Sequence, residues 1–536
     1  MLLILSAEWA EAGIEANYGR MPVGFLPFGP ERLFRAQRNI VPCCFCAMTI
    51  PDDFLVPDYD RRELESQGIR LLPQPVGLSP CAMIADALRR VAPKGSVHIA
   101  LGNAYVTLPE GAAGLQDWVA VTDISSRPGA LNFDPQAIRG ARFSTSSTTV
   151  TTGQGLTACG YFCIVDAELL ADACRGANLP DALNKYDACL PLSAVIADRS
   201  ARFDSMDSYA SAKSQRLVKR AFNEVSRSGA TLVKRSADFR KMEAEARWYE
   251  TLPDELRPYA PRYLGRDNAG LLAGYALEFL DLPAVSELSA FGGLPGSVWE
   301  TIIGCGFELL RKLQEIRPPR GSPYGSSEFC HAFHQSMIVD KTRSRLEQYR
   351  ADGGTEAGAA ITVNGTHYPP VPDVVERLIG MVRPTRPDDI RFWHGDYYYG
   401  NLLFDRAARR IFCIDPRGNL ENGTPTSFGD RRYDVAKLAH SVIGHYDRIV
   451  LGEARLDRDG PFSWRFAVKE QPDDVAIEAR FFEMCRADLK LAETDFLPLT
   501  ALLFFAMLPL HGDRPDLQRM FLASGLIIAR RVGLSA

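Results

Sequence analysis

Phe392-Trp-His-Gly-Asp-Tyr-Tyr-Tyr-Gly-Asn401, with the apolar run that closes it at Ile414-Asp415-Pro416, holds the side chains a phosphoryl-transfer site needs. Such a site uses a carboxylate that takes the acceptor hydroxyl's proton, an amide that holds magnesium, and a second carboxylate that ties the metal to the nucleotide phosphates. Asp396, Asn401 and Asp415 offer these groups in that order. Asp396 by itself has a plainer account as a turn or capping aspartate, because short acidic side chains readily bond neighbouring backbone. The pairing with Asn401 and Asp415 favours the chemical account.

Outward from this stretch, the chain of 536 residues exceeds what one core accommodates, roughly 250 to 300 residues, so two or three domains are expected. With 46% hydrophobic and 24% charged residues its composition is globular. A formal net charge of -5 argues against nucleic acid as the partner, since such proteins carry basic patches. The opening Met-Leu-Leu-Ile-Leu-Ser lacks a basic flank and soon meets Glu8 and Glu11, so it reads as a buried strand rather than a signal peptide. No uninterrupted apolar run reaches the ~20 residues of a membrane span; residues 496–510 contain Pro498 and Pro509. A cytoplasmic protein with no membrane span is expected. Of the 12 cysteines, Cys43, Cys44 and Cys46 form the tight cluster, and with no second ligand pair nearby they read as a buried strand over 41–50.

Residues 1–212 alternate apolar strands with amphipathic helices, the pattern of an α/β layer structure built on a mainly parallel, Rossmann-like mixed sheet. Strands are predicted at 2–6, 43–50, 69–73, 97–102, 118–123, 160–165 and 193–197, with helices at 31–38, 79–91 and 167–174. A basic stretch holding Lys213, Arg216, Lys219, Arg220 and Arg227 marks a junction. Beyond it, a hairpin (221–227 and 231–235), a charged helix (239–251) and a strand (275–280) suit the small lobe of a bilobal α+β kinase-like domain, over 213–285. Residues 286–536 read as a mostly helical large lobe, with helices over 298–315, 333–350 and 477–493.

Lys234, in the strand-like Thr-Leu-Val-Lys-Arg, is the candidate cation for nucleotide phosphates. Glu245, on the following helix, is its candidate partner, and Glu243 competes for that place from another helical face. At this point the chain resembles the aminoglycoside phosphotransferase and choline kinase superfamily, whose catalytic loop reads His-Gly-Asp-x-x-x-x-Asn and whose metal strand ends Ile-Asp. Here these are His394-Gly395-Asp396 through Asn401 and Ile414-Asp415, and the resemblance runs over about 215–536.

The resemblance implies a kinase that uses ATP and Mg2+. It makes Asp396 the catalytic base, Asn401 and Asp415 the metal ligands, and Lys234 with Glu245 the phosphate-binding pair. Residues 276–280, with Glu278 and Leu280, become the adenine hinge. His394 is expected to order the loop, and Asp430 and Asp434 of Gly429-Asp-Arg-Arg-Tyr-Asp-Val-Ala-Lys437 to hold loops by hydrogen bonds. Arg417 has two readings, a phosphate contact or a carboxylate pair. Tyr397, Tyr398 and Tyr399 offer faces for a sugar or a quaternary amine, though three consecutive rings cannot all face one pocket. His331 and His334 read as ordinary polar residues.

Residues 21–33, Met-Pro-Val-Gly-Phe-Leu-Pro-Phe-Gly-Pro-Glu-Arg-Leu, resemble the region after the first loop of sugar-phosphate nucleotidyltransferases. The chemistry of that family is not retained. Residues 6–12 lack glycines that would let amides approach phosphate, and Val23 stands where the family has Lys. Gly102-Asn103 replaces the expected Gly-Asp, which leaves Asp204 as the one matching carboxylate. The amino-terminal domain is therefore expected to be degenerate.

The expected function is an ATP-dependent phosphotransferase acting on a hydroxyl of a small molecule, such as a sugar or amino alcohol, in surface polysaccharide or envelope metabolism. A bifunctional kinase and nucleotidyltransferase is one alternative; a non-catalytic scaffold of the same pathway is another.

Overall fold

The computed structural model describes residues 1–123, 130–145, 156–215 and 223–534. The predicted junction residues Arg216, Lys219 and Arg220, and the start of the predicted hairpin at 221–222, lie outside them. The chain divides into two compact units, Met1–Leu217 and Val218–Ala536.

In the first unit, Leu2–Leu5 is a four-residue run with every side chain buried, which suits a central strand covered on both faces. It pairs in parallel with Val97–Leu101 on one side and Cys46–Pro51 on the other, and Ile69–Gln74 extends the parallel part. Leu156–Ile164 then joins antiparallel to Val97–Leu101, Trp118–Thr122 and Leu131–Phe133, so the sheet is mixed. All seven predicted strands are present within it. Pro80–Val91 shows why its helix forms. Ser79 Oγ accepts from the Ala82 amide, Pro80 opens the first turn, and Cys81, Ile84, Ala85 and Leu88 make one buried stripe. The cysteine cluster departs from expectation. The strand begins at Cys46, whereas Cys43 is half-buried and Cys44 exposed, because pairing starts at Leu2 opposite Cys46 and Pro42 has no N–H for a ladder.

The second unit opens with an antiparallel sheet ordered Asn223–Ser228, Thr231–Ser236, Ala273–Glu278, Tyr263–Arg266. Gly229, at φ 57°, supplies the left-handed residue of the hairpin turn. Helix Phe239–Glu250 is capped by Asp238, whose carboxylate accepts from the Lys241 amide. Helices build most of the large lobe. Its centre is Arg431–Val442, buried on all sides from Arg432 to Val442.

Three details of the large lobe differ from the sequence expectation. The predicted 333–350 helix is interrupted by a π turn, Gln335–Asp340. The 477–493 prediction ends at Ala487, and a new helix, Glu493–Met507, follows. A four-stranded sheet (Thr366–Tyr368, Ile361–Val363, Ser463–Val468, Ala454–Gly460) stands inside the lobe, which the sequence expectation made mostly helical. Glu493–His511 has the length and composition to cross a membrane, yet 67% of its most apolar window is buried inside the protein. Pro498 lies within its α-helical part.

Candidate active site

A hairpin explains why residues as far apart as Asn401 and Asp415 meet. Leu402–Asp405 and Arg410–Cys413 pair antiparallel with Leu402 opposite Cys413, and the Ile414 amide donates to the Asn401 carbonyl at 3.0 Å. The loop before it leaves strand Ile390–Phe392, itself paired with Phe428–Asp430. Gly395 is required by geometry. Its φ is 78°, and a Cβ there would lie 2.7 Å from Arg417 Cβ.

His394 is fully buried, and burial holds its pKa down at about 4, so the ring is neutral at pH 7. Its Nε2 lies 2.9 Å from the Ile414 carbonyl, and its Nδ1 accepts from the Asp396 amide at 3.3 Å. Those partners select the Nε2–H tautomer and make the ring a brace between the two motifs. Asp434 braces from the other side, its carboxylate accepting from the His394 and Gly395 amides at 2.8 and 2.7 Å. Asp430 caps the helix at Arg432 N, accepts from Thr385 Oγ1 at 2.8 Å and pairs with the buried Arg432 guanidinium.

The Asp396 carboxylate lies 2.7 Å from Lys437 Nζ and accepts from Asn401 Nδ2 at 3.1 Å. Burial alone would lift the pKa of Asp396; the Lys437 ammonium, then His394 and Arg417, override it and hold the carboxyl well below the usual range. The Asn401 amide nitrogen is thereby committed to Asp396, donating to its carbonyl as well as its carboxylate. Lys437 has no role assigned to it by sequence alone. The signal was its spacing, one helical turn from Asp434, which puts both side chains on the face toward the loop.

Lys234 lies on Thr231–Ser236 opposite Tyr275, and its Nζ is 2.6 Å from Glu245 Oε2 and 3.1 Å from Asp415 Oδ1. Burial opposes its charge, but Asp415 and Glu245 together hold it protonated above the ordinary lysine value. Tyr275 Oη donates to the same Glu245 oxygen at 2.6 Å, a partnership that no sequence signal announces. Glu243 turns outward to Arg266, so the competition with Glu245 is settled by helical face.

The structure thus draws Lys234, Glu245 and Asp415 into one ion network and sets Asp396 and Asn401 beside it. Glu278 and Leu280 are not part of that network. Glu278 ends strand Ala273–Glu278 with its amide on Arg262 O, and Leu280 follows beyond the strand.

All three tyrosines of the loop are buried. Tyr397 donates to Gly306 O at 2.8 Å, Tyr398 packs edge-on to Tyr446, and Tyr399 lies against Trp299. Arg417 pairs with Glu421 and donates to Asn419 O, its carboxylate reading. Among the described residues no group of three or more His, Cys, Asp or Glu forms a metal cluster, His331 and His334 included.

These features decide the comparison. Residues 220–467 match the phosphotransferase enzyme family. No curated protein matches the chain. Among solved structures, the phosphotransferase-like part is similar to a thermostable mutant of aminoglycoside phosphotransferase APH(4)-Ia in ternary complex with AMP-PNP and hygromycin B, at 11% identity and TM-score 0.32, over 60% of this chain and 97% of that one. The amino-terminal part is similar to UDP-glucose pyrophosphorylase complexed with UDP-glucose (13% identity, TM-score 0.31, 41% of this chain and 98% of that one). It is also similar to the inositol-1-phosphate CTP transferase from T. maritima (12% identity, TM-score 0.31, 41% and 97%).

In the first unit the strand order reverses between Leu2–Leu5 and Val97–Leu101, at whose carboxyl ends a doubly wound sheet places its ligand. The Ser6 and Ala7 amides there donate to Thr49 Oγ1 at 2.8 and 3.1 Å, and Val23 is buried. Asp204 accepts a fork from Arg202 (3.1 and 3.0 Å) and a bond from Asn103 Nδ2 at 2.5 Å. A guanidinium therefore occupies both oxygens of the one matching carboxylate, and these residues do not fit a catalytic metal.

Proposed function

We propose that the phosphotransferase-like unit moves the γ-phosphoryl group of ATP to a hydroxyl of a small molecule. The observation that carries this reading is Lys234, held at 2.6 Å from Glu245 and 3.1 Å from Asp415, beside the loop that fixes Asp396 and Asn401. Lys234 would pair with nucleotide phosphates, because its charge is fixed and oriented before the nucleotide arrives. Asp396, ionised and braced at its own amide by His394, would orient the acceptor hydroxyl and take its proton.

Asn401 and Asp415 suit magnesium, which takes oxygen donors and usually few of them from protein. When bound, the metal would neutralise charge on the phosphates. Lys437 keeps Asp396 anionic and positioned. Asp434 fixes the loop amides, so the base does not reorganise as the reaction proceeds.

Purified chain with magnesium and ATP, offered sugars, amino alcohols and amino acids, is expected to form ADP and a phosphorylated acceptor. EDTA should stop this, and Asp396→Asn should lower kcat by about 10² to 10⁴. A rate in Asp396→Asn equal to the parent's would sink the assignment.

A further inference from the structure

Charge is distributed unevenly around Asp396. Toward the nucleotide, Lys234 faces two carboxylates, Glu245 and Asp415, an excess of negative charge that a metal ion would balance. A second set of charges belongs to the large lobe alone. Among the described residues it comprises Arg345, Arg417 and Lys437, with Asp396 and Glu421 as their paired carboxylates, the buried Lys341 behind them, and Asp434 bonded to the loop amides.

Arg417 and Arg345 grip Glu421 from both sides, Arg345 at 2.7 Å. Arg417 reaches the loop through its amide, which donates to His394 O at 2.8 Å, and its charge acts on Asp396 directly. Lys341, one turn before Arg345 on helix Lys341–Ala351, is buried and donates to Tyr433 Oη at 2.8 Å. Burial, with Arg417 and Arg345 next, pushes the Lys341 ammonium well below its ordinary pKa. Glu421 is already fully ionised, because Lys341, Arg417 and Arg345 outweigh its burial and hold it at about 2. Arg417 and Arg345 thus share one carboxylate, and the buried Lys341 adds no full charge to them. Arg417 and Arg345, with side chains 20% and 19% exposed, are the members that meet solvent. Uncompensated charge of one sign in a half-buried site is unfavourable without a counter-ion, and guanidinium groups match carboxylates and phosphates in shape.

We infer that the acceptor is an anion, a hydroxylated molecule that also carries a carboxylate or phosphate, and that Arg417 is the residue that selects it. This rests on the kinase reading above. The phosphoryl group moves from ATP to the acceptor hydroxyl, whose proton passes to Asp396, while the acceptor's anionic group stays on Arg417 unchanged.

Two measurements on the full chain test it. In the first, matched sets (glycerol, glycerate, glycerol 3-phosphate; glucose, gluconate, glucose 6-phosphate) are compared by kcat/KM with magnesium and ATP. An anionic member is expected to exceed its uncharged partner at least about tenfold, equivalent to 1.4 kcal/mol. Arg417→Gln should raise the KM of that member while leaving the KM of ATP alone, and Arg417→Lys should recover part of it. The carboxylate and phosphate arms separate the two anion sources. Equal or better use of uncharged members would overturn the inference.

The second measurement needs no acceptor. With the nucleotide site filled by magnesium and AMP-PNP, inorganic sulfate replaces chloride at constant ionic strength. The parent should gain in Tm, and Arg417→Gln, shown folded by its own cooperative transition, should lose at least half of that gain. An equal gain in both, or none in the parent, would overturn the inference. Failure of the kinase reading appears separately, as absence of magnesium-dependent ATP binding.

Discussion

Lys437 and Gly395 show how single residues set the properties of Asp396. The carboxyl of Asp396 is depressed, so its ionised form is present above the ordinary carboxylate range and is lost only as pH falls well below it. Lys437→Met removes the ammonium at 2.7 Å and leaves burial as the largest influence, which raises the pKa. The acid limb of the kcat/KM profile is therefore expected to move upward by about one pH unit or more in Lys437→Met. An unmoved limb would show that another group controls it. Gly395→Ala forces a left-handed non-glycine residue and brings Cβ within 2.7 Å of Arg417 Cβ. A loss of about 1–3 kcal/mol in chemical denaturation is expected, with reduced turnover.

At the scale of elements, helix Arg431–Val442 and the loop at 392–401 are tied together by hydrogen bonds and an ion pair. Asp434 receives two loop N–H groups, and one turn on Lys437 meets Asp396, so the helix fixes both the loop backbone and its charge. Asp434→Asn keeps one acceptor oxygen but turns an NH2 group toward a backbone donor. Denaturant unfolding should show a loss of about 1–3 kcal/mol, the cost of a buried group left unsatisfied. A variant as stable as the parent would contradict the bracing role.

Much of this was legible in the sequence, because hydrogen-bonding motifs are local. The spacing from Asp396 to Asn401, the Lys on an alternating strand and the seven strands of the first unit are periodic or short-range signals. The four-stranded sheet at 361–368 and 454–468 was not: it is two local hairpins, the first turning at Asn364-Gly365, and only their joining through Ile361–Val363 and Ser463–Val468 is long-range. Burial of the three loop tyrosines was also hidden, because it depends on Gly306, Trp299 and Tyr446, which distant helices bring to the loop.

At the scale of the whole molecule, the proposed catalytic constellation belongs to the second unit, and the matching positions of the first are otherwise engaged among the described residues. In the first, the loop amides are taken by Thr49 and Asp204 is neutralised by Arg202. Incubation with CTP or UTP, magnesium and sugar phosphates is expected to release no pyrophosphate above background. Release that survives Asp396→Asn would reinstate a second activity.

The sequence by itself determined the identity and order of the groups to which the proposed function assigns phosphoryl transfer, because the motif carries residue type and spacing. It also set Asn103, uncharged, where the resembled family has an aspartate, leaving Asp204 as the matching carboxylate. Tertiary structure alone decided the charges around those groups. Lys437 on Asp396, Tyr275 on Glu245, Arg202 on Asp204 and the excess of cations at Arg417 arise between segments far apart in the chain. Electrostatic energy depends on distance and burial, and neither is written along a linear sequence.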